Sequence, residues 1–496
     1  MWADDCAIFS LSEKGLQNSI DLTSNFFQSL GLPVNTKKTK VMVFNVGGLG
    51  PKNFKNLNFT INRCELEICD KYTYLGLTFK PSGSFVTAQA DLYTKACKAW
   101  FAISHVMFQH KKMSADQSLQ LLDSIVMPVG LYASEFLTLI DLPEGTFKDK
   151  VSTLRAWQNF PLEKVNQRVC RMLVSLQKHA SRLACLGELG RYPVLLKGIA
   201  LSLKYDWHLQ HKASRESLIY DTYQEMAALA SEGVDCWLSR VRQISKVFKI
   251  DLHGQMSPDA VSGKIKSCLN SNFEIFWKNE INDPKLDNQN IPHNKLRLYS
   301  QFKSCFKREN YIDTIQNRNQ RCWLSRLRTS AHNLAIERGR YKNIPPDQRT
   351  CTYCCGGQHG HGVGGGGGDD HQGHGEVDCE LHFILRCPRF RTSRQCFLKR
   401  MECFIPNIST MSELDQLKTF LCPTKPQTGK LVNKFIGIMF HARSVIDSGQ
   451  SYPNYPSWEP NLPNPFTIIP DIFDISNDEE YPDISSSESI SSHDGD

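Results

Sequence analysis

Apolar and polar positions follow two different patterns along this chain, helical spacing and short strand runs. Leu16, Ile20, Phe27 and Leu30 recur at helical spacing behind Ser12, a natural N-cap, and Gly31 and Pro33 stop the run. Val41-Met42-Val43-Phe44 follows as a β-branched and aromatic strand. After a Gly/Asn/Lys-rich stretch come Leu66-Glu67-Ile68 and Tyr72-Thr73-Tyr74-Leu75-Gly76-Leu77-Thr78-Phe79, which read as a further strand pattern and a hairpin. Ahead of the first helix, Trp2-Ala3-Asp4-Asp5 leads into the apolar run Cys6-Ala7-Ile8-Phe9, predicting a β-hairpin with both acids at its tip. From Ala88 to about Leu209 the pattern turns helical, with Leu92, Ala96, Ala99 and Ile103 three and four residues apart. Val234 to Phe248 and Phe302 to Ile315 also read as helices, between loops at Ile281-Asn282-Asp283-Pro284 and Asp287-Asn288-Gln289-Asn290. The expected fold class is an α+β segment at the N-terminus, then mostly α, with a small zinc-knuckle-like motif and a disordered acidic tail.

Composition narrows this. A chain of 496 residues suggests roughly three domains. A mean hydropathy of -0.37 and the lack of a long uncharged apolar run argue against membrane spans. The best stretch, Leu119 to Ile140, contains Asp123, Pro128 and Glu135 and reads as a buried helix and turn. The N-terminus opens with acids rather than a basic and apolar leader, so an intracellular protein, nuclear or cytoplasmic and not secreted, is expected. The eighteen cysteines include Cys64, Cys69, Cys97, Cys170 and Cys185 among apolar residues, which reads as reduced thiols in cores. A net charge of +7 with eleven acids and no Lys or Arg after Arg443 places +18 on residues 1–443. Such a body suits a polyanion, although the same cations can simply solvate helix faces. Lys95, Lys98, Lys111 and Lys112 accompany the first long helical pattern. Lys295, Arg297, Tyr299, Lys303, Phe306, Lys307, Arg308 and Tyr311 interleave cations with rings, as stacking on a single strand requires or as the rim of a helical domain shows.

Two constellations carry candidate chemistry. Adjacent Asp4 and Asp5 suit two-metal phosphoryl transfer, in which carboxylates hold two divalent cations about 3.5–4 Å apart. An acidic turn near a terminus is the plainer alternative. The second is Cys351-Thr352-Tyr353-Cys354 followed by His382 and Cys387. A Cys-x2-Cys pair on one turn and a His-x4-Cys pair on another can close a tetrahedral, structural zinc site with no open position for substrate. The spacer holds Gly364 to Gly368 with His359, His361, His371 and His374, and reads as a flexible insertion. Cys355, Cys379 and the inserted histidines are alternative ligands, and plain reduced thiols are the other reading. Arg386, Arg389, Arg391 and Arg394 flank the site as candidate phosphate contacts.

Taken in order, these motifs resemble the reverse transcriptase of LINE-type, non-long-terminal-repeat retrotransposons over roughly residues 1–400. Ala3-Asp4-Asp5 matches that family's catalytic palm motif. Gly31-Leu32-Pro33-Val34-Asn35 with Lys38-Thr39-Lys40 resembles the next palm motif, and Tyr74-Leu75-Gly76 the primer-grip hairpin. Pro128-Val129, Leu131-Tyr132-Ala133-Ser134-Glu135 and Gly187-Glu188-Leu189-Gly190-Arg191-Tyr192-Pro193 look like the helical part behind the palm. Arg326-Leu327-Arg328-Thr329-Ser330-Ala331-His332 and Ile336-Glu337-Arg338-Gly339-Arg340-Tyr341 look like the approach to its C-terminal Cys-Cys-His-Cys motif, and Glu376-Val377-Asp378-Cys379-Glu380-Leu381-His382-Phe383 fits the acids before its His-Phe pair.

The resemblance implies RNA-directed DNA polymerase activity. Asp4 and Asp5 would bind magnesium as catalytic residues, Lys38, Tyr74, Leu75 and Gly76 would serve substrate and primer, and an RNA template and a DNA primer or target would be the partners. It implies a partial palm over 1–80, a helical thumb and connection over 81–210, a helical basic region over 211–345 and the zinc motif with its Gly/His-rich insertion over 346–400. C-terminal helices over 401–443 and the acidic tail over 444–496 complete the division. The family's fingers and a third palm aspartate lie upstream of its acidic hairpin, whereas Met1 directly precedes the motif here. The expectation is a truncated copy, inactive alone. Its alternatives are a non-catalytic zinc-containing protein that binds RNA or DNA, and a transposon remnant without function.

Overall fold

The computed structural model describes residues 5–44, 57–109, 113–140, 142–143, 145–252, 256–285, 294–354 and 375–448. They are mostly helical, with six short strands. The chain divides into two compact units that interleave in sequence. One comprises Met1–Leu173, Arg182–Asp283 and Lys303–Arg308, and the other Val174–Ser181, Pro284–Phe302 and Glu309–Asp496.

The first unit opens with a small α+β core. The helix Glu13–Ser29 starts where Ser12 Oγ accepts from Gly15 N, and Gly31 lies at φ +69 just past its end, as the capping signals require. It buries Ile20 against Val41, Phe59, Ile61 and Leu66. Strand β1 (Lys40–Val41) pairs in parallel with β4 (Glu67–Ile68), and β2 (Thr60–Ile61) pairs antiparallel with β3 (Cys64–Glu65). The Gln17 side chain holds β2: Nε2 donates to Thr60 O at 2.8 Å and Oε1 accepts from Thr60 N at 2.9 Å. The strand predicted over 41–44 is therefore cut to its first residue, and Leu66-Glu67-Ile68 contributes a parallel partner. Residues 6–10 form no strand either: Cys6, Ala7 and Phe9 are exposed and Ile8 alone leans on the core. Cys64, expected in a core, is exposed because it borders the Asn62-Arg63 turn.

Strands β5 (Tyr72–Tyr74) and β6 (Leu77–Phe79) form the predicted hairpin. Leu75 (φ +47) and Gly76 (φ +81) make the two-residue left-handed turn that matches strand twist. A bulky Leu is strained there, and the turn is held from two sides. Tyr132 Oη donates to Leu75 O at 2.7 Å, and Lys95 Nζ donates to Gly76 O at 3.1 Å. Thr78 Oγ1 donates to Asp91 on the helix Val86–Gln109, fastening β6 to the helical part.

That part packs the helix Ser134–Ile140 on Val194–His211. Between Ala115–Leu121 and Met127–Gly130 the helix widens into a π turn, Leu122–Val126, placing Asp123 against Arg191. No single described helix is long and apolar enough to cross a membrane.

The predicted helix over 302–315 is broken. Tyr299–Phe302 and Asn310–Thr314 are short helices of the second unit, while residues 303–308 belong to the first, where Arg308 bridges Leu189. Several of the interleaved cations and rings of this stretch have partners within the fold. Tyr299, Phe306 and Tyr311 are buried, Arg308 pairs with Asp116, and Lys303 Nζ donates to Lys307 O. In the second unit the helix Pro426–Asp447 packs on Cys322–Arg328. Asn433 Oδ1 accepts from Trp323 N at 2.8 Å and Leu324 N at 3.2 Å, satisfying donors at that helix start. The residues from Arg326 to His332 all lie in the core. Arg328 is fully buried between the Phe302 and Tyr311 rings and pairs with Glu309 at 2.9 Å. The Gly/His-rich insertion and nearly all of the acidic tail lie outside the described residues.

Candidate metal centre

Cys351 ends a short extended segment. Thr350 and Val377 form an antiparallel bridge, Cys351 N donates to Glu376 O at 2.9 Å, and Asp378 N donates to Arg349 O at 2.9 Å. The turn after Cys351 brings Cys354 Sγ back to 3.7 Å from Cys351 O. His382 and Cys387 stand five residues apart, a spacing that an α-helix splays. Here residues His382–Arg386 form a π turn, and Cys387 N donates to His382 O at 2.7 Å, placing both side chains on one face. Donor atoms of Cys351, Cys354, His382 and Cys387 all lie within 4.8 Å of one another. Cys351, His382 and Cys387 are buried and Cys354 is half-buried. The cluster can hold a metal ion.

The acids at 376, 378 and 380 each take separate partners around the cluster. Glu376 Oε2 lies 2.9 Å from His382 Nδ1, a close charge contact rather than an aligned hydrogen bond. It leaves His382 Nε2 facing Cys354 Sγ at 3.6 Å. A carboxylate on the far nitrogen of a ligating histidine is the usual outer-shell arrangement. Asp378 accepts from Ala335 N at 2.8 Å and takes both terminal nitrogens of Arg443, at 2.9 and 2.7 Å. Glu380 accepts from Arg297, Ser330 and His332.

Crowded donors perturb one another. A hydrogen bond from Cys387 drives the Cys351 thiol well below its usual range, with His382, the Tyr353 backbone and Arg443 adding to it. The same bond, with burial, pushes the Cys387 thiol up. Burial opposes the His382 imidazolium, but Cys351 and Glu376 outweigh it and raise its pKa. The cluster thus holds protons where a divalent cation would displace them.

Other sequence-predicted residues are more scattered. Asp4 lies outside the described residues, and Asp5 is exposed and joins no converging group of metal donors among them. Lys38 is exposed, and its carbonyl accepts from Tyr72 Oη at 3.2 Å, which links the basic turn to the hairpin. Tyr74 is half-buried, while Leu75 and Gly76 are exposed at the hairpin tip. Lys111 and Lys112 lie outside the described residues. Two of the four arginines named as phosphate contacts are engaged otherwise. Arg386 pairs with Glu376 and Glu413, and buried Arg394 donates to Cys387 O at 2.6 Å. Arg389 and Arg391 are exposed. Sequence reading missed Arg443, the pairing of Arg297 with Glu337 and Glu380, and the separate partners of the three acids, for which the period-two spacing of 376, 378 and 380 was the available signal. Compared with known protein families, curated proteins and solved structures, the chain matches none.

Proposed function

We propose that this chain is a nucleic-acid-binding protein of the LINE-type reverse transcriptase lineage, with a structural zinc ion organising its second unit. The observation that carries the reading is the convergence of Cys351, Cys354, His382 and Cys387 across the insertion that separates them. Three thiolates and an imidazole suit a soft tetrahedral ion, whose sulfur ligands stand roughly 3.8 Å apart. Four protein donors leave no place for substrate, so the ion's chemistry is to fix the fold. The +18 carried by residues 1–443 supports a polyanionic partner. Exposed Arg389 and Arg391 follow the last ligand, and Tyr341, 74 % exposed, lies beside exposed Arg338 and Lys342. Cations with a free ring are what stacking and phosphate contact use.

RNA-directed DNA polymerase activity with Asp4 and Asp5 as magnesium ligands is a second reading, supported by the Leu75-Gly76 hairpin and its link to Lys38. The test is fluorescence anisotropy with a single-stranded RNA and a DNA duplex across salt concentrations, beside primer extension on an RNA template. The proposal expects binding that weakens steeply with salt, weaker still in Arg389→Glu/Arg391→Glu, without extension. Binding that ignores salt would overturn it. Magnesium-dependent extension abolished by Asp4→Ala would establish the polymerase instead.

A further inference from the structure

Arg443 stands one turn before the end of the helix Pro426–Asp447, far in sequence from the four metal donors, yet it reaches one of them. Its guanidinium forks onto Asp378, and Nη2 also lies 3.6 Å from Cys351 Sγ. Aromatic rings surround it: its guanidinium carbon is 4.4 Å from the Tyr353 ring centre, 4.5 Å from Phe383 and 5.9 Å from Phe390. One turn further, Asp447 accepts from Tyr353 Oη at 2.7 Å. Tyr353 sits between Cys351 and Cys354, so the end of this helix grips the Cys-x2-Cys turn at two points.

We propose that Arg443 is a positioning residue of the metal site, an outer-sphere partner that holds the Cys351 sulfur in place, aimed at the ion. This rests on the reading that the cluster holds a metal. A divalent ion with three thiolates and a neutral imidazole carries a net negative charge, and burying such a charge is costly unless it is paired. Arg443 brings a positive charge to one thiolate, and the rings exclude competing water. The planar fork engages carboxylate and sulfur together, which a lysine cannot reproduce. Outer-shell partners of this kind are typically worth 10–100-fold in metal affinity.

The experiment uses the full chain, with zinc affinity measured by chelator competition and the thiolate-to-metal charge-transfer band measured after cobalt substitution. Arg443→Met is expected to lose about 10–100-fold in affinity and to shift the band, since one thiolate loses its N–H donor. Arg443→Lys is expected to recover part of the affinity but not the band. Tyr353→Phe, which removes the Asp447 tie and keeps the cation, is expected to keep both within about threefold while lowering thermal stability. Wild type that binds no metal would sink the metal reading itself. Wild type that binds metal, with Arg443→Met matching it in affinity and band, would overturn the role of Arg443 and leave the site standing. A parallel loss in Arg443→Met and Tyr353→Phe would reduce the arginine to a packing role. Should Arg443→Met fail to fold, Arg443→Lys decides by its band.

Discussion

His332 Nε2 lies 3.0 Å from Glu380 Oε1, with both side chains out of solvent. The pair joins two sequence motifs nearly fifty residues apart, the Arg326-to-His332 run and the acid-rich approach to His382. Glu380 also takes Arg297, which bridges it to Glu337. Replacing this carboxylate by an amide leaves Arg297 with Glu337 as its one anionic partner and a single neutral oxygen for Arg297, Ser330 and His332 to share. Glu380→Gln is expected to cost about 3 kcal/mol in denaturant unfolding. His332→Gln should cost less, because the arginine pair survives. A double-mutant cycle is expected to give a coupling of roughly 1 kcal/mol. Strict additivity would show that the two residues do not act together.

Metal removal is the most direct probe of the second unit. Ligand binding to the folded state alone stabilises by about 4 kcal/mol at a thousand times Kd, which corresponds to roughly 10 °C in Tm for a unit of this size. Treating the full chain with a strong chelator is expected to lower Tm by that order, with recovery on adding one equivalent of zinc. Cys354→Ser should mimic the chelated protein and blunt its response to zinc. An unchanged Tm after verified metal loss would show that the cluster does not organise the fold.

Local signals along the chain were readable where one element carries them. The Ser12 cap, the Gly31 stop and the Leu75-Gly76 turn each depend on nearby backbone and formed as the residues indicate. The four metal donors were legible because ligand chemistry restricts residue type and spacing. What stayed hidden depends on long-range pairing. Arg443 looked like the last cation before an acidic stretch, and nothing local ties it to Asp378, 65 residues away. The cation-and-ring run at 295–311 fitted both a binding surface and a domain rim, because composition cannot distinguish an exposed arginine from one held against a carboxylate. The strand over 41–44 shrank because its pairing partner, β4, spans only two residues.

Gly198 on the helix Val194–His211 faces Thr138 so closely that a Cβ there would lie 2.7 Å from Thr138 Cγ2. Neither helix can shift without opening a core that includes Leu139 and Ile199, both fully buried. Gly198→Ala is expected to destabilise the first unit by about 1–3 kcal/mol through overpacking, despite alanine's better helix propensity. Thr138→Ala frees that space, so the double variant is expected to regain most of the loss. Equal penalties in single and double variants would place the strain elsewhere. Thermal unfolding followed by circular dichroism separates the cases.

Glu163 is fully buried, and its carboxylate accepts from Asn166 Nδ2 at 2.7 Å, Val194 N at 2.7 Å and Gln167 Nε2 at 3.3 Å. Burial outweighs these donors and raises its pKa from 4.5 to about 7. In the unfolded chain the group loses its proton near 4.5, so between 4.5 and 7 the folded state retains a proton that the unfolded state has released. Its contribution is therefore fully present below pH 4.5, falls as pH rises, and levels off above 7. The whole change amounts to roughly 3 kcal/mol. Asp123, held near 2 by Arg191 and Lys197 against burial, acts only at lower pH and leaves this window undisturbed. Denaturant midpoints for wild type and Glu163→Gln at pH 5 and pH 8 are the measurement. The wild type is expected to lose about 2–3 kcal/mol relative to the variant across that range, and parallel pH profiles would show that Glu163 is ionised throughout. The variant should also be less stable than wild type at pH 5, because its amide nitrogen must face one of the three donors that the carboxyl oxygens accept.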